Sequence, residues 1–146
     1  MAGPTAASMQ LVQYVIVRGD LLKTCKWPVG ALIAQACHAT SAVLHLYYDD
    51  IHTQVYLKDL DRMHKVILEA PDESSLWKLS NELETNDIFH KIWIEQPENF
   101  PTCIALEFSV SMFFSWQGFR AQSYSMLATG TFVLDFTSFE SQISEA

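Results

Sequence analysis

Gln35 and His38 stand one helical turn apart in the segment GALIAQACHATSAV, and an amide beside an imidazole is a pairing suited to ester chemistry. A histidine can position or deprotonate a water, a neighbouring carboxylate can orient it, and amide or cationic donors can stabilise the oxyanion that develops. On a helix, residues three, four and seven apart share a face, so Ala31, Gln35, His38 and His45 line one side while the other faces are almost wholly apolar. An unsatisfied buried polar group costs about 1–3 kcal/mol, so Gln35 and His38 either satisfy backbone groups at a sheet edge or face a cleft. Charged residues that could join them close the neighbouring segments. Arg18 and Asp20 flank Gly19 at the end of QYVIVRGD, Lys23 and Lys26 follow, Glu69 ends HKVILEA, and Glu95-Gln96 follow IFHKIWI.

Other chemistries find less support. His52, His64 and His90 fall in separate segments with no cysteine or acid at regular metal-ligand intervals, which argues against a zinc site. There is no glycine-rich phosphate loop and no G-x-S-x-G elbow. Cys25, Cys37 and Cys103 are odd in number and form no C-x-x-C pair, a pattern of reduced thiols in a cytosolic compartment. Trp27, Trp77 and Trp93 read as core or interface anchors rather than base-stacking platforms.

The elements that must position Gln35 and His38 follow from the hydrophobic pattern. LVQYVIV is a β-branched and aromatic run ended by Arg18-Gly19-Asp20, a buried strand that leaves the sheet at a glycine turn. Pro28 can occupy a first helical turn, and Gly30 to Tyr48 runs without a breaker, apolar on most faces, as expected of a β-α-β crossover helix. Asp49 to Arg62 is polar and reads as irregular structure or a short helix. His64 to Ala70 is a second strand, and Pro71-Asp72 closes it and offers an N-cap to a helix striped by Leu76, Leu79 and Leu83. IFHKIWI makes a third strand, Glu95 to Asn99 a turn, and TCIAL a fourth strand. The order β-α-β-α-β-β predicts an α/β fold, a mixed four-stranded sheet with helices packed on it in two or three layers. Ligands of open α/β sheets bind beyond the carboxyl ends of the strands, so Asp20, Gln35 and His38 are expected at one rim, with Glu69 and Glu95 beside them.

At 146 residues, 49% of them apolar, the chain has the size of one domain able to bury a core without metal or disulfide staples. No stretch approaches the roughly 20 apolar residues that span a bilayer, and MAGPTAASMQ lacks the flank and apolar run of a secretory signal, so a cytoplasmic protein without a membrane partner is expected. A formal charge of −8 opposes RNA binding. Arg18, Lys23 and Lys26 lie close together with only Asp20 among them, which fits a local cationic patch and equally a solvated loop. Beyond Leu106 the composition turns aromatic and serine-rich with Arg120 its single basic residue, and no helical or strand period holds. Residues 1–8 are expected to be a flexible N-terminus, 9–106 the domain, and 107–146 a tail that is loosely ordered or aggregation-prone.

QYVIVRGDL, GALIAQACHATSAV, HKVILEAPDESSLWKL and IEQPENFPTCIAL together resemble the peptidyl-tRNA hydrolase type II family of archaeal and eukaryotic type, across Gln10 to Leu106, and a divergent branch of it most of all. The signature is AQ-x-x-HA after a first strand combined with V-x-L-EAPDE before a second helix. The resemblance implies an enzyme that cleaves the ester between peptide and tRNA and recycles both, with peptidyl-tRNA as substrate and no metal or organic cofactor. Gln35 and His38 match AQ-x-x-HA, Gly30 the glycine before it, and Thr102 the threonine that opens the last strand. The family's lysine falls at Ala31, its Gln-Asp pair after the third strand becomes Glu95-Gln96, and its closing Pro-containing turn and short basic helix are replaced by Glu107-Phe108 and the tail. The leading expectation has His38 and Gln35 positioning the water or ester, Asp20 or Glu95 orienting them, Thr102 in the same site, Gly30 at the binding rim, and Arg18, Lys23 and Lys26 meeting phosphates. Its rivals are a non-catalytic member of the fold that binds RNA or protein, favoured by Ala31 and the acidic balance, and an interaction domain acting through the aromatic tail. A homodimer is compatible with the sequence.

Overall fold

Val12–Arg18 forms β1, and the two-residue period of a strand sends Ile16 to one face of the sheet and Val15 and Val17 to the other. The computed structural model describes residues 11–108 and the backbone of residues 133–135. After a short helix, α1 (Asp20–Lys23), Pro28 takes the N-cap position of α2 (Val29–Leu46). The polar stretch that follows holds α3 (Ile51–Leu57), begun where the Asp50 side chain accepts from the His52 N–H at 2.7 Å, and a 3₁₀ turn at Leu60–Arg62. β2 (His64–Ala70) then leads to α4 (Glu73–Thr85), where the Asp72 side chain accepts from the Ser75 N–H at 2.8 Å, the cap that the sequence predicts. β3 (His90–Glu95) and β4 (Phe100–Leu106) form a hairpin, and β5 (Val133–Asp135) completes the described chain.

The sheet has the order β3-β4-β1-β2-β5. β2 is parallel to β1, with Val12 opposite His64 and Arg18 opposite Ala70, and β5 is parallel to β2. β4 is antiparallel to both β1 and β3. Every strand but β4 therefore points the same way, and the carboxyl ends of β1, β2 and β3 meet the amino end of β4 along one rim. The expected α/β class and its four mixed strands are present. The fifth strand comes from the region in which the sequence pattern places no element.

The core lies on both faces of the sheet, which settles the layering at three. On one face Leu76, Leu79 and Leu83 of α4 pack against Ile16, Leu68, Ile104 and Leu106. On the other, Ala39 and Val43 of α2 pack against Val15, Cys103 and Ala105. By length and composition α2 could cross a membrane, but here it lies along β1, β3 and β4. A third cluster joins Leu11, Tyr56 and Phe108, whose ring stacks on that of Tyr56 at 3.9 Å between centroids. Phe108 is fully buried, so the packed chain runs past the boundary expected at Leu106. Apart from Glu107, Phe108 and the backbone of β5, the expected tail, like the expected flexible N-terminus, lies outside the described residues.

Candidate active site

The buried stripe of α2 is Leu32, Gln35, Ala39 and Val43, so a glutamine occupies a position that packing against the sheet would give to an apolar side chain. Its partner comes from β4. The Thr102 hydroxyl donates to Gln35 Oε1 at 2.9 Å, with Gln35 4% and Thr102 0% exposed. The Cys103 thiol donates to the Gln35 backbone carbonyl at 3.4 Å. Because Thr102 fixes the oxygen end of the amide, the Nε2 end is left to donate, and no hydrogen bond among the described residues takes it up. Burial pushes the Cys103 thiol up to about 12, which makes it an inert packing group rather than a nucleophile.

His38, three residues on, falls outside the buried stripe and is exposed. Its imidazole stacks on the indole of Trp93, with centroids 4.8 Å apart and planes 21° from parallel. The Trp93 indole N–H in turn donates to Glu95 Oε2 at 2.9 Å. The expected four-residue polar face of this helix is thus split. Gln35 faces the sheet, Ala31 is half-buried, and His38 and His45 face outward.

Asp20 does not orient Gln35 or His38. Its two carboxylate oxygens receive Arg18 Nε at 3.0 Å and Nη2 at 2.7 Å, a bidentate clamp. Nη1 of Arg18 donates to Glu73 at 3.1 Å and to the Pro101 carbonyl at 2.9 Å. The guanidinium lies 5.4 Å from the Phe100 ring centroid, and Phe100 meets Trp27 at 5.8 Å. Arg18 is 6% exposed. Burial alone would loosen its proton, but Asp20 and Glu73 hold the charged form more strongly, and its affinity for the proton rises. Arg18, expected to meet phosphate, is paired within the protein at the end of β1, where it ties β1, α4 and the start of β4 together. Lys23 is paired with Glu69, which removes Glu69 from the list of free rim acids. Gly19 serves this pairing, because a β-carbon there would fall 2.2 Å from a Glu69 carboxylate oxygen. Lys26 is exposed, in a left-handed backbone conformation at φ 57°, with Nζ on the Lys23 carbonyl at 2.7 Å. The expected cationic patch is thus largely neutralised by Asp20, Glu69 and Glu73. Gly30 lies exposed in the first turn of α2, and a β-carbon added there meets nothing within 4 Å, so it leaves open space at the rim.

His90, a residue weighed above as a metal ligand, is structural. Its Nδ1 faces the Ile88 carbonyl and its Nε2 the Ser80 hydroxyl, both at 2.8 Å, which places the ring proton on Nδ1. Sequence reasoning missed a different group at the opposite end of the sheet. Asp50, His52 and Glu107 bring potential ligand atoms within 4.8 Å of one another. The acid that completes it lies 55 residues from His52, beyond the expected domain boundary, so spacing along the chain carried no signal.

Two comparisons place this architecture among known proteins. A family model described as "Peptidyl-tRNA hydrolase PTH2" matches residues 11–111. The chain is 52% identical over 107 residues to the human (Homo sapiens) protein named "Putative peptidyl-tRNA hydrolase PTRHD1", covering 73% of this chain and 76% of that one. It is 55% identical over 97 residues to the mouse (Mus musculus) protein of the same name, covering 66% and 69% respectively.

Proposed function

Because the chain belongs to the peptidyl-tRNA hydrolase PTH2 family, we propose that it hydrolyses the ester joining a peptide to its tRNA, with His38 handling the attacking water and Gln35 meeting the ester carbonyl. The observation that carries this reading is the buried Gln35–Thr102 hydrogen bond, which spends the amide oxygen and leaves the amide N–H groups for a substrate oxygen. As water adds to the carbonyl carbon its proton passes to His38, and the tetrahedral oxyanion is met by the Gln35 donor. The carbon–oxygen bond to the ribose then breaks, and the proton passes from His38 to the departing ribose oxygen. Lys26 is the rim cation suited to meet phosphate. Ala31, half-buried in the first turn of α2, supplies none.

The second reading, a non-catalytic member of the family that binds RNA or a protein, is favoured by that same Ala31 and by the internal pairing of Arg18 and Lys23. Release of peptide from a model peptidyl-tRNA by the purified full chain separates the two. The hydrolase reading expects turnover that falls at least about 100-fold in His38→Ala, the size usual for loss of a general base. A folded wild-type protein that binds the RNA without releasing peptide would establish the second reading instead.

A further inference from the structure

His38 is an exposed imidazole to which no described side chain gives a hydrogen bond, and its ring plane is set by the face of Trp93 at 4.8 Å. Histidines that act as bases are commonly oriented by a carboxylate on the far ring nitrogen. Here the nearest carboxylate in the chain of contacts, Glu95, binds the indole rather than the imidazole. Trp93 itself has little freedom. Its backbone is paired with Cys103 in the β3–β4 ladder, its side chain packs with the α2 cluster of Ala39 and Val43, and its N–H is held by Glu95 at 2.9 Å.

We propose that Trp93 is the positioning residue of this site: its indole, braced by Glu95, fixes the plane of the His38 ring by stacking and leaves both imidazole nitrogens open to water and substrate. Glu95 acts on His38 at one remove, through the tryptophan. Stacking restrains the plane without occupying a ring nitrogen, so the same imidazole can take a proton on one nitrogen and return it. It also sets the direction from which a substrate oxygen reaches the ring, since one face is closed by the indole. The role in turnover rests on the hydrolase reading, whereas the orientation of the ring does not.

The experiment therefore has two arms on the full-length protein, with Trp93→Leu and Trp93→Phe. In the first, proton NMR follows the His38 ring signals against exposed His45, which has no ring contact among the described residues. The wild-type His38 signals lie upfield of His45 through the indole ring current, Trp93→Leu brings them to the His45 position, and Trp93→Phe retains part of the displacement. His38 signals that do not move in Trp93→Leu would overturn the proposal whatever the activity. In the second arm, Trp93→Leu lowers kcat for ester hydrolysis about tenfold with KM within about twofold, and Trp93→Phe recovers most of it, as expected when orientation is lost and binding is kept. Equal kcat in wild type and Trp93→Leu would refute the role in turnover. An inactive wild type with the ring-current displacement intact would refute the hydrolase reading and leave the orienting role of Trp93 established.

Discussion

At the carboxyl ends of β1 to β3 the buried polar groups meet partners of fixed character. Arg18 is held by Asp20, Glu73 and the Pro101 carbonyl, and the Gln35 oxygen by Thr102. At the opposite ends of the same strands two half-buried titratable groups, Glu107 and Lys65, lie near the buried Gln13 and Thr53, and the matching is less complete. Burial first, and then the hydrogen bond and charge of Asp50, push the Glu107 carboxyl up to about 7, and its Oε1 is covered with no partner. Nearby, Lys65 donates to Gln13 at 2.6 Å and to the Tyr56 hydroxyl at 3.3 Å, and its pKa is lowered by burial. The difference lies in how the polar groups are matched. At the end that carries the candidate chemistry they are paired with one another, whereas at the other end a carboxyl oxygen of Glu107 is covered without a partner.

Breaking the matched end is expected to cost most. Arg18→Met leaves Asp20 and Glu73 without their cation and the Pro101 carbonyl without its donor. Both acids are partly exposed, at 22% and 47%, so the loss is set near the lower bound for broken buried pairs, about 2–3 kcal/mol, read from urea denaturation. A variant within about 0.5 kcal/mol of wild type would show that the network is solvated in solution and that the contrast between the two ends is not real. Thr102→Val keeps the shape but strips Gln35 Oε1 of its donor. It is expected to cost about 1–2 kcal/mol and to lower any esterase rate along with stability, because the amide is free to turn its oxygen toward the substrate.

The effect at the other end is read from its pH dependence, and its sign is specific. Glu107 has a folded value of about 7 against an ordinary 4.5, so the fold favours its protonated form. That contribution is complete below about pH 4.5 and is lost as the pH rises through about 7. Asp50 shifts the other way, held below its ordinary 3.8 chiefly by the hydrogen bond with Glu107, so its own contribution is lost only in more acid solution. Glu107→Gln cannot ionise and still offers Asp50 a donor. Its melting temperature should therefore stay level from about pH 5 to about pH 8, where the wild type declines. A decline as steep in the variant as in the wild type would assign the pH dependence to other groups.

What the sequence could disclose depended on how local its cause was. HKVILEA reads as β2 residue for residue, and Asp72 as the cap of α4, because strand period and capping are decided within a few residues. Gln35 and Thr102 could be associated only through the family resemblance, since 67 residues separate them and nothing in either segment names the other. The surroundings of Arg18 were hidden for the same reason. A charged residue beside a turn glycine looks exposed, and its burial is caused by Glu73 and Pro101, which arrive from distant elements. Trp93 was legible as an anchor in the pattern of β3, but its stack on His38 required the register of β3 against α2. The polar segment after α2 read as irregular structure or a short helix, and α3 is that short helix; its buried residues, Thr53 and Tyr56, leave too short a stripe for sequence to choose between the two.

Three residues at the margin of the sheet carry a different kind of consequence. Val133–Asp135 pair with Ile67, Leu68 and Glu69 of β2, whose other side is already laddered to β1. In a chain cut short at Leu106, that stretch of β2 would present a bare row of amide and carbonyl groups on a strand of Val66, Ile67 and Leu68, and an open edge of this kind is a template on which identical chains add to one another. β5 thereby acts as a selvedge: it covers this stretch of β2 and, being only three residues long, leaves a short margin of its own on which a neighbour could continue the weave.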